Sequence, residues 1–95
     1  MTQVEKAKFG LGRVVATPGA LCALEDAQES ALGYLRRHES GDWGSVPPED
    51  WEENEFSLKN EFRLLSSYHL RDGTKIWIIT EADRSVTTIL LPSEY

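Results

Sequence analysis

The sequence predicts an α+β domain spanning residues 1–95, with two or three short N-terminal helices packed on an antiparallel sheet of three to four strands that ends in a β-meander. Three observations lead there. Asp72-Gly73 separates two largely apolar stretches, Phe62 to Leu70 and Lys75 to Glu81, and Asp-Gly between such stretches is a strong hairpin signal. Ile76-Trp77-Ile78-Ile79 puts apolar side chains on both faces of a strand, the pattern of a central strand covered by helices on at least one side. Upstream, Thr17-Pro18 and Pro47-Pro48 are helix starts, because proline at the first helical position gives up an amide that has no partner anyway.

Each element follows in order. Residues 8–16 read as a glycine-softened first strand, with Phe9, Leu11 and Arg13 on one face and Val14 and Ala16 on the other. A helix from Pro18 to about Ala27 presents Leu21, Cys22, Leu24 and Ala27 as its apolar side. Ser30 is placed to cap a second helix through Leu35 to His38, although one kinked helix from Pro18 onward also fits the pattern. Gly41-Asp42-Trp43-Gly44 is a turn carrying a large aromatic. The helix after Pro47-Pro48 opens with Glu49, Asp50, Glu52 and Glu53, charges that suit the positive end of a helix dipole. Trp51, Glu55 and Leu58 share one of its faces, and Phe56 faces the strand entry near Phe62. Ala82 to Ser85 turns the chain into a last strand, Val86 to Leu91, which Pro92 stops.

Composition narrows the class. An apolar fraction of 40% with 27% charged residues is that of a folded globular domain rather than a disordered chain. The apolar runs Ile76 to Ile79 and Ile89 to Leu91 are far shorter than the ~20 residues of a membrane span. Met1 to Phe9 mixes Glu5 with Lys6 and Lys8 without an apolar stretch, so no secretory leader is expected and the expected address is cytoplasmic. The single cysteine, Cys22, allows no internal disulfide or multi-cysteine zinc site, and its place beside Leu21 and Leu24 suggests a small core residue.

The net charge of −6 is concentrated in one block. Glu39, Asp42, Glu49, Asp50, Glu52, Glu53 and Glu55 follow one another without an intervening Lys or Arg. Such a block repels phosphate and attracts basic surfaces.

Two clusters could carry chemistry. His38, Asp42, Trp43, Asp50 and Asn54 gather around the rigid helix-to-helix connection. Their simplest roles are capping and turn formation, with Asp42 in an Asx turn and His38 at a helix C-terminus. Imidazole with carboxylates also ligates metals, but the spacing of His38, Asp42 and Asp50 follows no metal template, so neither a metal nor another cofactor is expected. In the second cluster, Asp83, Arg84, Ser85, Thr87 and Thr88, Arg84 is the one cation of its turn and a potential clamp for phosphate or carboxylate. Ser66 and Ser67 lack the glycine setting of a nucleophile elbow. Strand alternation groups Thr80 with Ile76 and Ile78. Of the three tryptophans, Trp43 is the best candidate for a partly exposed contact residue, with core packing an equal alternative.

The stretch Arg37 to Gly44 (RHESGDWG), with Lys75 to Ser85 (KIWIITEADRS) and Thr87 to Pro92 (TTILLP), resembles a family of small bacterial "plasmid-related" proteins over nearly the whole chain from Phe9 to Tyr95. That resemblance implies a gene carried on plasmids and integrative elements. A more distant, topological resemblance is to the barnase, colicin-D and RelE class of metal-independent ribonucleases. It implies His38 as base or acid, Arg84 as phosphate clamp and Thr87 as hydroxyl donor, although the acidity of this chain departs from that usually basic class.

Two functions follow and make opposite demands. One is a protein-binding accessory factor of a mobile element that engages a basic surface through Asp42, Trp43, Glu49, Asp50, Glu52, Glu53 and Asp83, blocking a host nucleic-acid-handling or defence protein. The other is a ribonuclease using His38, Arg84 and Thr87, and only there is a nucleic acid the partner. A purely structural accessory role would make both clusters ordinary turns. No membrane partner is expected.

Overall fold

A computed structural model describes residues 6–95. The expectation of no leader over Met1 to Phe9 therefore falls, for residues 1–5, outside the described residues. The elements are β1 (Arg13–Ala16), α1 (Pro18–Ala27), α2 (Leu32–Glu39), α3 (Pro48–Asn60), β2 (Leu64–His69), β3 (Lys75–Thr80) and β4 (Val86–Leu90), followed by a 3₁₀ turn at Pro92–Glu94. No described helix is long and apolar enough to cross a membrane.

Local chemistry sets the helix boundaries. Thr17 Oγ1 accepts the Ala20 amide at 3.1 Å and starts α1. Gln28, in the left-handed region at φ 55°, ends it, which makes α1 and α2 separate helices rather than one kinked one. Ser30 Oγ accepts the Leu32 amide at 3.2 Å at the entry to α2. Proline at the start of α3 and Glu49 and Asp50 in its first turn match the expected dipole arrangement.

The fold class is α+β, with three helices and one four-stranded sheet in the order β1-β4-β3-β2. The expectation of a wholly antiparallel sheet is corrected: β2, β3 and β4 pair antiparallel, but β1 runs parallel to β4, with Val14 opposite Thr87 and Ala16 opposite Ile89. Tight turns force β2, β3 and β4 to alternate in direction. Three helices separate β1 from β2, so no such constraint acts on β1.

One sheet face carries the core. Strand register aligns Tyr68 with Ile76, Ser66 with Ile78 and Ile89, and Leu64 with Thr80 and Thr87. Ala20, Leu24 and Ala27 of α1 pack on Tyr68, Leu70, Ile76, Ile78 and Ile89. The buried stripe of α1 follows the helical i, i+4, i+7 spacing from Ala20, and the small alanines let the helix approach the branched isoleucines closely. Leu21 and Cys22 are consequently exposed, which corrects their expected place in the core. On the opposite face Ile79 and Leu90 are buried, and Tyr95 meets Trp77 edge-on at 5.7 Å.

The β2 edge is covered. Ser67 donates its amide to Trp43 O at 3.1 Å and accepts the Ser45 amide at 2.7 Å. The Asn54 side chain serves Leu65 as another strand would, donating to its carbonyl at 2.7 Å and accepting its amide at 3.1 Å. These contacts satisfy backbone groups that would otherwise invite strand addition. Gly44 lies between them at φ +78°, where a β-carbon would overlap the Ser67 carbonyl and the Tyr68 ring.

Candidate functional site

The last turn of α2 delivers His38 to the polar end of the core face, where it is fully buried. Its Nδ1 lies 2.5 Å from Ser66 Oγ and its Nε2 lies 2.8 Å from Thr80 Oγ1. Thr80 Oγ1 is 2.7 Å from Thr87 Oγ1, which donates to the Leu11 carbonyl at 2.7 Å. The direction of the chain follows from counting hydrogens. A carbonyl only accepts, so Thr87 spends its one hydrogen on Leu11; Thr80 must then donate to Thr87, and His38 Nε2–H must donate to Thr80. Nδ1 is left as an acceptor for the Ser66 hydroxyl. His38 is thereby held neutral with its hydrogen on Nε2. Burial, reinforced by the positive charge of Arg84, lowers its pKa from 6.5 to about 3.

Aromatic rings close this region. Phe9 meets His38 edge-on at 5.2 Å and stacks on Trp43 at 6.1 Å, and Trp43 meets His38 at 5.7 Å. Trp43 is fully buried and its Nε1–H donates to Glu55 Oε2 at 2.8 Å. This corrects its expected role as a partly exposed contact residue: an indole with a carboxylate partner inside is a core residue. It also removes Glu55 from the free acidic surface.

Arg84 caps the end of α3. Asp83 Oδ1 accepts the Ser85 amide at 3.0 Å and its hydroxyl at 2.6 Å, a turn that leaves Arg84 at φ 61°. The guanidinium donates to the carbonyls of Phe62 (2.6 Å), Glu81 (3.2 Å), Ala82 (3.2 Å) and Ser57 (3.1 Å). Its Cζ stands 5.6 Å from the centre of the Phe9 ring. The cation thus neutralises carbonyls at the negative end of α3.

The structure therefore brings His38 and Thr87 together in the interior and sets the half-buried Arg84 beside Phe9, the same ring that meets His38. Both imidazole nitrogens face hydroxyls, the Thr87 hydroxyl is spent on a carbonyl, and the guanidinium holds four more carbonyls. Such a set ties α2, the end of α3 and the strands β2, β3 and β4 together. Among the described residues, no three His, Cys, Asp or Glu side chains are grouped to hold a metal ion.

The acidic candidates divide. Asp42 pairs with Arg37 Nε at 2.8 Å and accepts the Gly44 amide at 3.1 Å. Burial would raise its pKa, but Arg37 and that amide outweigh it and the carboxyl titrates low. Asp42 is a turn residue, as is Asp83. Glu49, Asp50, Glu52 and Glu53 are all exposed on the first turns of α3. Asp50 and Glu53 also border a shallow groove of about 220 Å³ with Asn54, Arg63 and Leu65.

No family model, curated protein or solved structure matches the chain.

Several residues organise these sites in roles that the sequence did not indicate. Ser66 and Thr80 complete the His38 chain, Phe9 seals it, and Asn54 covers the sheet edge. Alternation did place Thr80 on the inner face, and a hydroxyl at an inner position of a central strand signals a polar partner. Phe56 and Phe62 stack at 5.9 Å, both more than half exposed.

Proposed function

We propose that the chain is a binding protein that engages a basic protein surface through the exposed acidic face of α3. The observation that carries this reading is the set Glu49, Asp50, Glu52 and Glu53. Among the described residues the ion pairs are Arg37–Asp42 and Arg63–Glu81, so none of these four carboxylates has a cationic partner. Glu49 and Glu53 are spaced i, i+4, and Asp50 and Glu53 are spaced i, i+3, where like charges destabilise a helix by about 0.2–0.5 kcal/mol per pair. A cationic partner relieves that repulsion. Proteins that handle nucleic acids carry such surfaces, and an acidic helix competes there with phosphate. With the resemblance to "plasmid-related" proteins, this supports an accessory factor of a bacterial mobile element that blocks a host nucleic-acid-handling or defence protein.

The interior placement of His38 and Thr87 favours binding over RNA cleavage, since binding needs no accessible base. The test is affinity capture from cells carrying the gene, with partners quantified by mass spectrometry. Glu49→Gln, Asp50→Asn, Glu52→Gln and Glu53→Gln together should remove the salt-sensitive partner that the unmodified chain retains. An unchanged set of partners refutes the proposal.

A further inference from the structure

The chain holds two of its own arginines between a carboxylate and a tyrosine. Arg37 pairs with Asp42 at 2.8 Å while its Cζ stands 4.6 Å from the centre of the Tyr68 ring. Arg63 pairs with Glu81 at 3.4 Å and donates through Nη1 to the Tyr95 hydroxyl at 2.7 Å, with its Cζ 5.9 Å from the centre of that ring. Each site combines an aromatic face with a carboxylate, the two surfaces that a planar guanidinium satisfies at once and a lysine ammonium does not.

α3 presents the same combination on its outer side. Asn54 and Ser57 are the buried positions of the helix, and 100° per residue puts Glu52 and Phe56 on the side turned away from them, with Glu49 and Glu53 exposed on its flank. Glu52 and Glu53 precede Phe56 by four and three residues, which places their side chains beside its ring, about 5–6 Å apart at Cβ. Phe62 extends the surface: its ring lies nearly parallel to that of Phe56, at an interplanar angle of 11°, and both are more than half exposed. Among the described residues, the arginines that face aromatic rings lie over Tyr68, Tyr95 and Phe9, and no lysine or arginine lies over Phe56 or Phe62. An exposed aromatic pair rimmed by carboxylates is complementary to a cation with a flat face.

We propose that Phe56 and Phe62, with Glu52 and Glu53, form a cradle for an arginine side chain of a basic protein segment, so that the α3 surface selects arginine over lysine. This rests on the reading of α3 as a binding face and adds to it the chemistry of the partner residue. The guanidinium stacks on the phenyl pair and its N–H groups donate to the carboxylates. Lysine supplies the charge without the stacking.

The test uses two end-blocked peptides of equal length and charge, glycine alternating with arginine and glycine alternating with lysine, titrated into the folded chain. Chemical shifts of the Phe56 and Phe62 rings report binding. The arginine peptide should bind about fivefold more tightly than the lysine peptide. Phe56→Leu with Phe62→Leu, which keeps an apolar surface and removes the rings, should bring the two affinities together, with backbone amide shifts monitoring both peptides. Glu52→Gln with Glu53→Gln should weaken both. Equal affinities on the unmodified chain, both weakened by Glu52→Gln with Glu53→Gln, overturn the cradle and leave the acidic binding face standing. Failure of both peptides to bind the unmodified chain overturns the cradle and the face alike.

Discussion

His38 Nε2 lies 2.8 Å from Thr80 Oγ1, tying the last turn of α2 to the end of the central strand. The contact is one link in a one-way chain that starts at the Ser66 hydroxyl and ends at the Leu11 carbonyl. The account therefore predicts the Nε2–H tautomer alone. Nitrogen NMR of the imidazole at pH 7 should show Nε2 protonated and Nδ1 bare; the opposite tautomer would contradict the donor order fixed by the Leu11 carbonyl.

Stability should depend on this imidazole. Folding lowers its pKa from 6.5 to about 3, so between those values the native state binds fewer protons than the unfolded chain. Stability is then greatest above pH 6.5 and falls as the solution is acidified. Between pH 6.5 and 4.5 the loss is about 2 kcal/mol, the slope approaching 1.36 kcal/mol per pH unit below pH 6. Asp42 and the other low-titrating carboxylates add their own losses as pH falls further toward their range. Urea midpoints should drop across this interval, and His38→Asn should flatten the curve above pH 5 even though it lowers stability overall.

Arg84 is assigned a structural clamp, so its replacement should act on stability. Arg84→Lys keeps the charge but cannot reach carbonyls on α3 and on the β3–β4 turn together. A loss of about 2 kcal/mol is expected, in the range for hydrogen bonds made by charged groups, and urea denaturation measures it. A substitution that leaves stability intact would return Arg84 to the list of groups free to bind phosphate.

Gly44 permits the close crossing over β2. Gly44→Ala would place a methyl group into the Ser67 carbonyl and the Tyr68 ring at a positive φ. Calorimetry should find a loss above about 3 kcal/mol, combining backbone strain with overlap.

The sequence was most informative where the rules are local. Asp72-Gly73 marked the hairpin, Thr17-Pro18 and Pro47-Pro48 marked the starts of α1 and α3, and the apolar run at Ile76 to Ile79 marked the central strand. Long-range pairing was out of reach: nothing in Arg13 to Ala16 says that it runs parallel to β4. The misplacements of Trp43, Leu21 and Cys22 have one cause. Periodicity ranks residues by polarity, whereas burial was decided by which partner stood opposite. Glu55 and Phe9 drew Trp43 inside, and the alanines of α1 fitted the isoleucine layer more closely than Leu21 could. The polar clusters around His38 and Arg84 were visible as composition, but their meeting beneath Phe9 depends on folding residues far apart in the chain.

The central claim is that a specific face of α3, rather than overall acidity, binds the partner. It is tested most directly by two variants that remove equal charge: Glu52→Gln with Glu53→Gln on α3, and Glu25→Gln with Asp26→Asn near the exposed end of α1. Each is compared with the unmodified chain in quantitative capture at constant salt. The account predicts that the α3 variant loses the partner and the α1 variant keeps it. Equal retention by both, or equal loss from both, would contradict it.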